Sequence, residues 1–183
     1  MATGPRIYVD AYDFERVADL LAKLPVEMQR VAFGRAAART RKVLERQYAR
    51  FAGRTLKVPQ KLIMSRIRSS LRGGEVTLRV RSKNINLDEF AGIRQDRLGV
   101  YINGRGRYHD AFVVLPSAKR AAVHILRRRS FSGRLPTKML FGPNPANAID
   151  EKPADYEEML AFIARTEMAT VLMQQVAYLL GRM

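Results

Sequence analysis

The sequence predicts an α+β fold, with a long N-terminal helix, a small antiparallel sheet or partial barrel in the middle, and a long C-terminal helix. Three observations carry this prediction. Apolar residues recur every three or four positions from about Pro25 to Phe51 and again from Ala154 to Leu180. Between them the period falls to two, as in Val76-Thr77-Leu78-Arg79-Val80-Arg81, where Val76, Leu78 and Val80 would share one face. Closely spaced turn formers punctuate this middle stretch, which favours antiparallel pairing over crossover connections.

Taken in order, a short helix is expected to start at Asp13, whose carboxylate can cap free backbone N–H groups. It would run through Phe14, Val17, Leu20 and Leu21 and stop near Leu24-Pro25. The long helix follows, with Phe33, Ala37, Thr40, Leu44, Tyr48 and Phe51 on one face and Arg35, Arg39, Lys42, Arg46 and Arg50 on another. Its length would be about 40 Å at ~1.5 Å per residue. Gly53 is expected to end it as a left-handed cap. A short helix opened by Pro59 should cover Val58 to Ile67, until Gly73-Gly74 breaks it. Strands are expected at Val76–Val80, Asn84–Leu87, Leu98–Ile102, Ala111–Leu115, Ala122–Arg127 and Lys138–Phe141. The turns between them are Asn103-Gly104-Arg105-Gly106, Pro116-Ser117 and Ser132-Gly133. Asn144-Pro145-Ala146-Asn147 reads as a turn or single helical turn. Pro153 then opens the final helix, whose apolar residues Leu160, Ile163, Met168, Val171, Leu172, Val176, Leu179 and Leu180 cover more than one stripe.

With 183 residues, no internal repeat and no long linker, the chain is expected to form one domain. Its regions are an arm and short helix (1–24), a helical region (25–72), a β region (75–142) and the C-terminal helix (153–181). Cysteine is absent, which excludes disulfides, thiolate metal sites and cysteine nucleophiles and suits a reducing cytosol. The opening Met1-Ala2-Thr3-Gly4-Pro5-Arg6 has no secretion-type apolar stretch, and no apolar run reaches the roughly 18 residues that span a bilayer. No membrane contact is expected.

Charge is the outlying property. Lys and Arg number 33 against 17 acids, a net +16, which attracts nucleic acid, acidic proteins or anionic lipid. No acid lies between Asp110 and Asp150, while Lys119, Arg120, Arg127, Arg128, Arg129, Arg134 and Lys138 all do. An acidic arm of Asp150, Glu151, Asp155, Glu157 and Glu158 follows at once. Basic and acidic arms can pair head to tail between copies, or both can simply be solvated.

Chemistry is harder to find. Of the two histidines, His109 falls at a turn and His124 in an expected strand, and neither has a metal-ligand spacing to a partner. Asp88-Glu89 and Asp150-Glu151 could hold magnesium, but adjacent acids also suit helix starts. Gly104-Arg105-Gly106 lacks a following Gly-Lys-Ser/Thr and reads as a hairpin tip. No catalytic, metal or cofactor residue is therefore assigned, and the expectation is a non-enzyme. The candidate interface consists of Arg35, Arg39, Lys42, Arg46, Arg50, Arg127, Arg128 and Arg129, with Leu172, Val176 and Leu179 on the last helix. Arg79 and Arg81 add to the groups that could meet phosphates, yet no zinc-finger spacing, RNP-type strand or helix-turn-helix is visible.

One series of short motifs has a familiar order. It runs Val31-Ala32-Phe33-Gly34-Arg35-Ala36-Ala37-Ala38-Arg39-Thr40, then the Pro59–Ile67 turn, a strand, and Ile85-Asn86-Leu87-Asp88-Glu89-Phe90. Arg97-Leu98-Gly99-Val100, a hairpin, Asp110-Ala111-Phe112-Val113, Arg134-Leu135-Pro136 and Leu140-Phe141-Gly142-Pro143-Asn144 complete it. This order, over roughly residues 30–150, resembles the prophage minor tail protein Z family of lambda-like tail completion proteins. The chain departs from the family pattern where Thr137 follows Pro136 in place of isoleucine. The resemblance implies a structural minor tail protein that completes the tail and helps it join the head. It implies other tail or neck proteins as partners and a place in the virion tail after assembly in the host cytoplasm, and it carries no catalytic residues. The long helix, small sheet and apolar last helix suit a homo-oligomer stable within a ring or layer. The alternative is a sequence-independent DNA-binding protein acting at genome passage or packaging.

Overall fold

The computed structural model describes residues 18–19, 21–72, 75–115, 123–129 and 136–181. The expected cap at Asp13, the positions Phe14, Val17 and Leu20, the Gly73-Gly74 break, Ala122, and the turns at Pro116-Ser117 and Ser132-Gly133 lie outside these residues, as do Lys119, Arg120, Arg134 and Leu135.

Helix α1 spans Val26–Leu56, 31 residues or about 46 Å. Successive helical residues advance by roughly 100°, so Ala32 and Ala36 lie about half a circle away from Tyr48, Ala52 and Leu56. All five are buried. The helix thus serves two cores in turn. Its N-terminal half packs Ala32 and Ala36 with Leu21, Leu24, Val171, Leu172 and Val176. Its C-terminal half packs Tyr48, Ala49, Ala52 and Leu56 with Ile63, Ile67, Ile85, Leu87, Phe90, Val100, Ile102 and Ile125. Phe33 was expected on the buried face but is 40% exposed. Alanines line the contact there, and they admit a neighbouring helix too close for an aromatic ring.

The helix does not end at Gly53. Apolar periodicity continues to the buried Leu56, and the left-handed cap is Lys57, with φ of 53°. Gly53 supplies the cap's acceptor instead, its carbonyl taking the Val58 N–H at 3.1 Å. A Cβ at Gly53 would stand 3.0 Å from the Val58 carbonyl oxygen, so the returning chain needs the missing side chain. The Arg105 guanidinium donates to the Leu56 carbonyl at 3.2 Å, a cation at the negative end of the helix.

Helix α2 is confined to Gln60–Met64, shorter than expected, with Pro59 before it. Ile67 belongs to a strand that the sequence reading missed. Strand β1 (Ile67–Arg72) pairs antiparallel with β2 (Glu75–Val80), Ile67 opposite Val80. A second sheet is a meander of β3 (Ile93–Asp96), β4 (Gly99–Ile102) and β5 (Gly106–His109). The third contains β6 (Ala111–Val114), β7 (His124–Arg128) and β8 (Thr137–Met139) in that order. Among the described residues the middle region is therefore three small antiparallel sheets, none closed into a barrel. The hairpin tip at Asn103–Arg105 is as expected, while β3 and β5 are additional strands.

The expected Asn84–Leu87 strand is not formed. Ile85 pairs with the chain at Gly142 and Pro143, but Asn86 makes only an isolated bridge to Phe141. Leu87–Glu89 turns as a 3-10 helix, its capping box closed by Asn86 and Glu89. After the turn at Pro145-Ala146, helix α3 covers Asn147–Glu151 and α4 covers Pro153–Phe162. A π turn at Ile163–Met168 leads into α5, Ala169–Leu180. This turn accounts for the two apolar stripes. The i→i+5 spacing resets the helical phase, so Tyr156 and Met159 meet the sheet core while Val171, Leu172 and Val176 meet the first half of α1. No described helix is long and apolar enough to cross a membrane.

Candidate functional site

Arg35, Arg39, Lys42, Arg46 and Arg50 are all exposed. At roughly 100° per residue they fall within an arc of roughly 80° on α1. The helix has two acids, Glu27 and Glu45. Glu45 points away from the stripe, accepting the Ser69 backbone N–H at 3.0 Å and also the Ser69 hydroxyl. Among the described residues none of the five cations forms an ion pair; the three pairs present are Arg66–Glu89, Arg107–Asp96 and Lys152–Asp155. Arg50 shares a cleft of about 760 Å³ with Asp155 and Glu158 of α4.

The second basic group, Arg127, Arg128 and Arg129, ends β7 and is exposed. These arginines line a groove of about 530 Å³ with Gln95, Asp96, Arg97, Gly99, Asp110 and Phe112. Hydrogen bonding from Arg107 and from the Leu98 backbone holds the Asp96 carboxyl below its ordinary value. Two special backbone positions shape the groove. Gly99 has φ of 136°, where a Cβ would lie 2.2 Å from the Tyr108 carbonyl oxygen, and Asp110 has φ of 57°. Arg97 was not among the candidate residues. The Asp-x-x-Gly spacing of Asp96 and Gly99 is the signal that could have placed it on a hairpin tip.

The apolar part of the candidate interface requires correction. Leu172 is 1% exposed and Val176 is fully buried against α1, and Leu179 packs partly buried on the same cluster. These residues hold α5 to its own chain. Apolar side chains open to solvent lie elsewhere: Val26 (63% exposed), Val31 and Phe33 on α1, and Phe162 (54% exposed) at the end of α4. Val26, Phe33, Ala37 and Leu71 line a cleft of about 680 Å³ with Gln29, Arg30 and Gly34.

The ionisable residues weighed for chemistry do not converge. His109 is exposed at the end of β5, and His124 is half-buried in β7 with its Nδ1 buried and unpartnered. Glu89 is taken up by Arg66 and by its capping bond to Asn86. Asp150, Glu151, Asp155, Glu157 and Glu158 are exposed on α3 and α4, and among the described residues Asp155 pairs with Lys152 at 3.2 Å while the others form no ion pair. Among the described residues no group of three or more His, Asp or Glu could hold a metal ion. The most perturbed acidity is structural. Burial pushes the Tyr48 phenol well above its usual range, and its hydroxyl donates to the Pro145 carbonyl at 2.8 Å. Comparison with protein-family models, curated proteins and solved structures gave no match.

Proposed function

We propose that this chain is a structural component of the tail-to-head junction of a tailed phage or prophage. It completes the tail by burying surface against copies of itself and against other tail or neck proteins, with no bond made or broken. The observation that carries this reading is the uncovered apolar surface of α1. Val26 and Phe33 are exposed on one face of α1, in a cleft that Ala37 and Leu71 help to line. Contiguous apolar side chains of this kind mark surfaces that a partner covers.

The motifs behind the resemblance to the minor tail protein Z family support the same reading through the work they do. Ile85–Phe90 forms the capped turn over the core, Arg97–Val100 the β3–β4 hairpin, and Leu140–Asn144 the segment paired with Ile85. Each is a device for holding shape. The chain would reside in the virion tail and, during assembly, in the host cytoplasm.

Light scattering over a range of concentrations, with and without purified tails, tests this. Self-association or capture by tails is expected, and both should weaken in a Val26→Ser, Phe33→Ser variant that stays folded by circular dichroism. A chain that remains monomeric and ignores tails would overturn the reading.

A further inference from the structure

We propose that the basic face of α1 is a binding site for the phosphate backbone of duplex DNA, read without regard to sequence. The inference stands independently of any place in a tail. Arg35, Arg39, Lys42 and Arg46 form its centre, and Arg50 its margin beside Asp155 and Glu158. From Arg35 to Arg46 the helix rises about 16 Å, along which a duplex presents roughly ten phosphate charges at one per ~1.7 Å. The cations are regularly spaced on a helix that both cores hold in place, so little order is lost on binding.

An acidic protein surface or an anionic bilayer could also attract these charges, but the composition of the face disfavours both. Protein interfaces take their energy from desolvated aromatic anchors. The aromatic residues of α1, Phe33, Tyr48 and Phe51, all lie about 100° or more from the centre of the stripe. Of the stripe's cations, the exposed Phe162 of α4 shares a cleft only with Arg50, at its margin. Membrane-surface helices need an apolar face free to enter the headgroup layer. The buried faces of α1 are packed against its own chain. Its exposed Val26 and Phe33 lie roughly 140–160° from the stripe, so the cations and these apolar groups do not face one surface together. What remains is a row of point charges that form no ion pair among the described residues: Glu45, the nearest acid in sequence, is bonded to Ser69. Neutralising phosphates and releasing their counterions is the interaction that such a row makes best.

The test is fluorescence anisotropy with a labelled duplex of arbitrary sequence, titrated from 50 to 200 mM salt. Four phosphate contacts contribute about −3.6 to the slope of log K against log salt, or roughly a 150-fold loss of affinity over that range. An Arg39→Gln, Arg46→Gln variant should lower the slope by about 1.8. An Arg39→Lys, Arg46→Lys variant should keep the slope. An Arg127→Gln, Arg128→Gln, Arg129→Gln variant should also leave it unchanged. Circular dichroism confirms that each variant is folded. The proposal is overturned if the slope follows Arg127–Arg129 instead, or if the glutamine variant keeps the full slope. It is equally overturned if a glutamate-rich peptide or phosphatidylserine vesicles bind as tightly as the duplex with the same dependence on Arg39 and Arg46.

Discussion

Replacing Tyr48 by phenylalanine should expose how the helical layer is tied to the sheets. The Tyr48 ring is fully buried, tilted against Phe51 and edge-on to Tyr156, with ring centroids 6.1 Å apart in both contacts. Its hydroxyl reaches across 97 residues to the buried Pro145, just before α3. Phenylalanine keeps the ring contacts and removes the donor, leaving the Pro145 carbonyl only its longer bond from the Ala148 N–H at 3.4 Å. That costs about 0.5–1.5 kcal/mol, which for a chain of this size lowers the melting temperature by about 1–6 °C. Alanine would also empty the ring's volume and cost about 3–5 kcal/mol. Urea unfolding followed by circular dichroism separates these effects, provided the slope with denaturant stays constant while the midpoint moves. If Tyr48→Phe matched the parent within about 0.5 kcal/mol, a range usual for inconsequential surface changes, the hydrogen bond would not be the tie described. The same variant carries a pH signature. The folded phenol is raised above the unfolded value of about 10, so its contribution is complete below that pH and is lost as pH climbs toward the folded value. Tyr48→Phe should flatten this alkaline decline, leaving the smaller part due to Tyr156.

Other outcomes follow from the packing. Leu172→Ala should cost about 2–5 kcal/mol of unfolding free energy, measured in urea. An unchanged stability with lost self-association would restore Leu172 to an intermolecular face. Gly99→Ala meets both the Tyr108 carbonyl and an unfavourable φ, and should destabilise by more than the ~1–3 kcal/mol of backbone strain alone. A soluble variant of parent stability would mean that the β4–β5 contact differs from the one described. Glu45→Ala removes the acceptor for both Ser69 donors, so hydrogen exchange at the Ser69 amide should quicken while the sheet core stays protected.

Much of this architecture was legible in the residues. The period of α1 and of the C-terminal helix, the Val76–Val80 alternation and the Asn103–Arg105 tip follow from local rules that packing left in place. Gly53 misled because the helix stop was decided by burial of Leu56, a tertiary gain that lets Lys57 carry a left-handed φ. Strand β1 escaped notice because Ile67-Arg68-Ser69-Ser70-Leu71-Arg72 does not alternate cleanly, and its Ser69 is satisfied by a glutamate 24 residues away. The basic stripe on α1 could be read from spacing alone, since helical period fixes a face. Whether an apolar face meets a neighbour or its own chain is not a local property. For that reason Leu172 and Val176 could be named from the sequence but not assigned to the fold's interior.

The central claim is assembly through buried surface, and electron microscopy of particles made without this chain tests it most directly. Tails should accumulate incomplete and separate from filled heads, and adding the purified chain should let them join, with density for it at the head-proximal end. Normal joining in its absence, or restored joining with no chain retained in the particle, would contradict the claim.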